Sequence, residues 1–179
     1  MANATMNSMN DGTSARAQME EELEQFLVFQ CDALQVGVRV DCVVETLINQ
    51  SITSLPMLPN YVCGIINLRG EIIPVMDVRL RFGKPEIPYN ERTCIIVART
   101  DSLCVGLIVD SVCEVVQLAD ENIAPPPKIN GTSNRYIKSI GKVEQEIKLL
   151  LDFEKLVADE DFEGVVRAEA SASETSSDS

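Results

Sequence analysis

Apolar positions between residues 26 and 151 fall in short runs separated by turn formers, not in long helical stripes. Phe26-Leu27-Val28-Phe29 is a compact apolar run, and Val36, Val38 and Val40 alternate with Gly37 and Arg39, the period of a half-buried strand. The next segment changes period. Val43, Val44, Leu47 and Ile48 are spaced for one or two helical turns, with Asp41 placed to cap them and Glu45 turned away from the core. A proline-marked connection, Leu55-Pro56-Met57-Leu58-Pro59, leads to two apolar runs that flank Arg69-Gly70-Glu71. This predicts a hairpin whose tight turn takes its positive φ from Gly70. Residues 77–83 predict a short helix, capped by Asp77 and stopped by Gly83.

Residues 93–98 and 103–109 predict two more strands joined near Asp101-Ser102, and 112–118 continue the pattern. Residues 120–133, with Pro125-Pro126-Pro127 and Gly131, predict an irregular crossing loop. Residues 136–140 and 147–151 predict a last hairpin around Glu144-Gln145, and Asp152 caps a terminal helix over 153–157. About ten short strands without βαβ alternation predict an all-β fold, and that is too many for one small barrel. Two small packed barrels fit the strand number.

Composition narrows the function. The chain has no His, which excludes Ser/His and Cys/His nucleophilic catalysis, His-ligated metal and a phosphohistidine relay. It has no Trp and 4% aromatic residues, too few for a base-stacking platform. A net charge of -13 is the wrong sign for a phosphate-backbone binder, so no nucleic-acid partner is expected.

Most of that charge lies at the ends. Residues 1–25 carry five acids and one base, residues 152–179 nine acids and two bases, and 26–151 fourteen acids and twelve bases. Residues 1–22 and 164–179 are expected to be disordered solubilising tails around a folded module of residues 23–163.

Cys31, Cys42, Cys63, Cys94, Cys104 and Cys113 contain no C-x-x-C pair, and several sit inside apolar runs. They read as reduced thiols acting as small hydrophobes, with no zinc pattern, and no metal or cofactor is expected. No secretory signal and no membrane-spanning run is evident, so a cytoplasmic location is expected. Asp77 and Asp110 each follow an apolar strand, but both are placed for a structural, capping role rather than acid catalysis. Phosphate-cradling glycine patterns are absent. A rival enzyme would have to use Cys94 or Cys104 as a nucleophile, in apolar strands that raise a thiol pKa and with no His partner.

One motif stands out. Arg69 sits at a hairpin tip inside an apolar stretch, either as a solvated charge or as a partner anchor. The run from Tyr61 through Gly64, Asn67-Leu68-Arg69-Gly70, Pro74 and Asp77-Val78-Arg79 resembles the signature of the chemotaxis coupling (CheW) family. Its flanks follow in order: Phe26–29 as the opening strand, Val43-Val44-Glu45, residues 105–112 as a hairpin of the second barrel, and Leu149-Leu150-Leu151-Asp152 with Leu156 at the end.

The resemblance covers about residues 25–158. It implies two packed SH3-like five-stranded barrels with short helices and a C-terminal helix. It also implies a non-enzymatic adaptor that joins a CheA-type histidine kinase regulatory domain to the signalling tips of methyl-accepting chemoreceptors. Such adaptors form rings with the kinase domain, in the cytoplasm at membrane-associated receptor clusters and without inserting into the membrane themselves.

Carried onto this chain, the partner-binding residues are Glu45, Gly64 and Arg69, with Val43, Ile52 and Val115 as apolar contacts or core. Glu45 and Arg69 are expected to pair across the first barrel. Gly64 either admits a partner backbone or sits in a bulge with strained φ. A same-fold scaffold for a non-chemotactic pathway, such as surface motility or second-messenger control, is the competing function.

Overall fold

The computed structural model describes residues 22–128 and 135–158, with Phe162 and Gly164. The expected tails lie outside these residues except at Glu22 and Gly164, as does the crossing loop's 129–134 stretch.

In chain order the elements are β1 (Glu24–Cys31), β2 (Leu34–Arg39), β3 (Val43–Ile48), β4 (Val62–Leu68), β5 (Glu71–Asp77) and α1 (Val78–Arg81). Then come β6 (Cys94–Arg99), β7 (Cys104–Val109), β8 (Ser111–Leu118), β9 (Ile123–Ala124), β10 (Ile137–Val143), β11 (Glu146–Leu151) and α2 (Phe153–Val157). The strands form two sheets. One runs β3-β6-β7-β5-β4 and is called the first barrel here; the other runs β8-β1-β2-β11-β10-β9 and is the second. The second gains a sixth strand because Ile123 and Ala124 pair with Gly141 and Ile140.

Three apolar clusters account for this arrangement. Ile66, Ile73, Val75, Ile95, Val97, Cys104 and Ile108 fill the first barrel. Phe26, Val28, Val116, Leu118 and Leu150 fill the second. A larger cluster takes Phe29, Val36 and Val38 from the second barrel, Met76, Ile96 and Leu107 from the first, and Phe153, Leu156 and Phe162 from the C-terminal end. Alternating side chains let one strand supply both its own barrel and the shared core, as Ile95 and Ile96 do.

Two expectations are corrected. Residues 43–48 are a strand, not a helix, and the only helical turn there is the 3-10 turn Val40–Cys42, which Asp41 does not cap. Val43, Val44, Thr46 and Ile48 are β-branched, and burial alternates strictly along β3, so pairing with β6 wins over the helical spacing. Residues 105–112 do not form a hairpin of the second barrel. β7 pairs with β5 and β6 in the first barrel, and the chain crosses to the second at Asp110 before β8 joins β1.

The two helix caps expected at Asp77 and Asp152 form. Asp77 Oδ1 accepts the Leu80 N–H at 3.3 Å at the start of α1, and Asp152 Oδ1 accepts the Lys155 N–H at 3.1 Å at the start of α2.

Candidate docking surface of the first barrel

The β4–β5 hairpin turns on two residues, Arg69 at φ 52° and Gly70 at φ 88°. Two successive positive φ values make the mirror-image turn whose twist matches the flanking strands. Asn67 Oδ1 accepts the Gly70 N–H at 2.9 Å and braces it. Gly70 has open space where a Cβ would be, so its backbone angle alone calls for glycine. Arg69 holds a left-handed conformation that disfavours any non-glycine residue. Its side chain is 75% exposed and reaches back to β3, where Nη1 donates to Glu45 Oε1 at 2.6 Å and Nη2 to Glu45 Oε2 at 3.1 Å.

A second pair stands at the same end of the barrel, with Arg99 Nη2 3.2 and 3.1 Å from the two Glu71 oxygens. Four charges from the hairpin, β3 and β6 thus cap the barrel mouth in two opposite-sign pairs. Solvated pairs like these add little to stability. They fix the direction in which charge and hydrogen-bond donors face outward.

This end continues into a cleft of about 570 Å³ where the two barrels meet. Val44 and Arg99 line it from the first barrel, Arg39 and Lys138 from the second, and Phe153 and Glu154 from α2.

The other sequence candidates are scattered. Val43 is half-buried against the shared core, and Ile52 packs on the first barrel's interior. Val115 is exposed, at 56%, on β8 of the second barrel, opposite Leu27.

Gly64 sits at a register shift in β4 with φ 145°. A Cβ there would lie 2.0 Å from the Thr53 carbonyl oxygen. The backbone that closes on Gly64 is therefore the chain's own: Thr53 and Ile65 exchange N–H···O bonds of 2.8 and 2.9 Å beside it. The partner-backbone reading of Gly64 is replaced by the bulge reading, since Thr53 already fills the space.

Arg79 closes the signature run. It is buried and holds Asp110, Asp32 and the Pro85 carbonyl. Asp110 is thus an ion-pair acceptor, not a helix cap, because a strand follows it. Asp77 Oδ2 accepts the Tyr89 hydroxyl at 2.9 Å, and that hydroxyl lies 3.4 Å from Cys63 Sγ. Burial, then Cys63 and Asp77, push the Tyr89 hydroxyl above its ordinary value.

All six cysteines are free thiols. Burial raises Cys104, Cys63 and Cys42, and pushes Cys31 up to about 12 with help from Asp110. Cys94 donates to the Arg92 carbonyl at 3.2 Å. None of these surroundings favours a thiolate nucleophile. Among the described residues no group of three or more His, Cys, Asp or Glu could hold a metal ion, and no helix is long and apolar enough to cross a membrane.

The CheW-like domain profile matches residues 25–161. Chemotaxis protein CheW of Klebsiella aerogenes is 31% identical over 139 residues, 77% of this chain and 84% of that protein. Protein FrzA of Myxococcus xanthus is 30% identical over 146 residues, 80% and 89% of the two chains. The crystal structure of the scaffolding protein TtCheW from Thermoanaerobacter tengcongensis superposes with a TM-score of 0.73 at 30% identity, covering 78% of this chain and 95% of that one. With the profile spanning both barrels and the hairpin, the chain belongs to the CheW-like domain family.

Proposed function

We propose that this chain is a non-enzymatic adaptor of bacterial chemotaxis, joining the signalling tips of methyl-accepting chemoreceptors to the regulatory domain of a CheA-type histidine kinase. It works at receptor clusters on the cytoplasmic side of the membrane and assembles in rings with the kinase domain. The observation that carries this reading is the Arg69–Glu45 pair. It presents an exposed, directionally fixed guanidinium at the tip of the family's signature hairpin, beside an open cleft. Arg is enriched at interface hot spots, and a charge fixed in place loses less entropy on binding. Each contact can be modest: two micromolar interactions, about -8 kcal/mol each, reinforce one another within an array.

A second reading has its own support, since Protein FrzA matches over a similar span under a different name. In that reading the same barrels serve another pathway. Co-sedimentation of the purified chain with a receptor signalling-tip fragment and a CheA-type kinase separates the two. Capture of both, with a change in kinase autophosphorylation, is expected; binding to neither overturns the chemotactic assignment.

A further inference from the structure

We infer that Arg79 is a positioning residue, a latch that sets the angle between the two barrels and hence the relative placement of the chain's two working faces. Arg79 is the second residue of α1, the helix that follows β5 of the first barrel, and its side chain is 10% exposed. Nη1 donates to Asp110 Oδ2 at 2.7 Å, Nη2 to Asp32 Oδ1 at 3.3 Å and Nε to the Pro85 carbonyl at 3.1 Å. Asp32 belongs to the β1–β2 turn of the second barrel, and Asp110 is the residue at which the chain crosses from β7 to β8.

The cluster closes on itself. The Asp32 N–H donates to Asp110 Oδ2 at 2.7 Å, the Asp110 N–H to the Gln30 carbonyl at 3.0 Å, and Lys84 Nζ lies 3.6 Å from Asp32. Two cations face two carboxylates. Among the described residues, the ion pairs that join one barrel to the other converge here.

The chain also crosses between barrels at residues 40–42, beside the exposed Arg39–Asp41 pair. The shared core is mostly apolar, with Arg81 of α1 hydrogen-bonded to the Tyr136 hydroxyl beside β10, and the hydrophobic effect itself has no preferred direction. A planar guanidinium held at three corners does. Buried ion pairs add little net stability against apolar replacements, and their best-attested use is to fix register. Orientation, more than stability, is what Arg79 contributes.

The functional consequence rests on the proposed adaptor role. Arg69 belongs to the first barrel and Val115 to the second, so the angle between barrels decides whether both faces meet their partners at once.

The test compares wild type, Arg79→Met and Arg79→Lys. Residual dipolar couplings on the chain alone report the angle between the barrels. Titrations then measure the kinase domain singly, the receptor tip singly and both together. Expected for Arg79→Met are two folded barrels at a changed or broadened angle, single-partner affinities within about twofold of wild type, and joint assembly weakened at least about tenfold; Arg79→Lys should fall between. Couplings that fit the wild-type angle in Arg79→Met overturn the latch, as does an equal loss in single and joint binding. If Arg79→Met does not fold, Asp32→Asn, in an exposed turn, carries the same comparison. The couplings need no partner, so a wild type that binds nothing refutes the adaptor role and leaves the latch to be judged separately.

Discussion

Arg69 at the hairpin tip and Glu45 on β3 are 24 residues apart in sequence and share two hydrogen bonds, at 2.6 and 3.1 Å. Glu45 is 24% exposed and Arg69 75%, so the carboxylate is the anchored partner and the guanidinium the presented one. The pair points a cation outward from a chain whose net charge is -13. Its effect falls on binding more than on folding.

Gly64 should be the least replaceable glycine of the hairpin. Gly64→Ala puts a Cβ into the Thr53 carbonyl and forces a side chain onto φ 145°. It should cost at least about 2 kcal/mol and lower the melting temperature by roughly 4–8 °C. Gly70→Ala, with open space around it, should cost about 1 kcal/mol. Thermal melts of the two variants check the order; equal losses would contradict the close approach of Thr53.

Val115→Glu tests the second barrel's face. Val115 is exposed on β8, so the folded state should tolerate the change, with a melting temperature within about 2 °C of wild type. Binding to one partner should weaken while the other is unaffected. An unchanged affinity for both would remove Val115 from the docking surface.

The hairpin was legible because alternation, a turn glycine and a motif all pointed to the same place. Strand β3 was not: Val43, Val44, Leu47 and Ile48 suit a helical face as well as a strand, and only pairing with β6 decides between them. Val43 and Ile52 read equally as core or contact, and the fold puts both against apolar clusters. The role of Arg79 had no sequence signal. Its carboxylate partners lie 47 and 31 residues away, in turns that look like ordinary solvated connections. Likewise, nothing local announces that Thr53 would fold back onto Gly64.

Acid should loosen the junction. The Ala33 backbone N–H, followed by Arg79 and Lys84, holds the Asp32 carboxyl below its ordinary value of 3.8. A depressed carboxyl contributes stability that is complete above its unfolded value and lost as pH falls through its folded one. Melting temperature should therefore drop as pH falls below the ordinary carboxyl value of 3.8, and Asp32→Asn should flatten that drop. A variant as acid-sensitive as wild type would contradict this.

Thiol labelling checks the core. In the native chain at mildly alkaline pH, exposed Cys113 should react first, while buried Cys31, pushed up to about 12, and Cys104 should react only on unfolding. Fast native labelling of Cys31 or Cys104 would contradict their burial.

The central claim is that Arg69 is a contact residue of a two-partner adaptor. The most direct test titrates wild type and Arg69→Ala, side by side, against a CheA-type kinase regulatory domain and a receptor signalling tip, with circular dichroism on both proteins. The account predicts a folded Arg69→Ala whose affinity for at least one partner falls about tenfold or more. A folded variant with wild-type affinity for both, or one that unfolds, would contradict it.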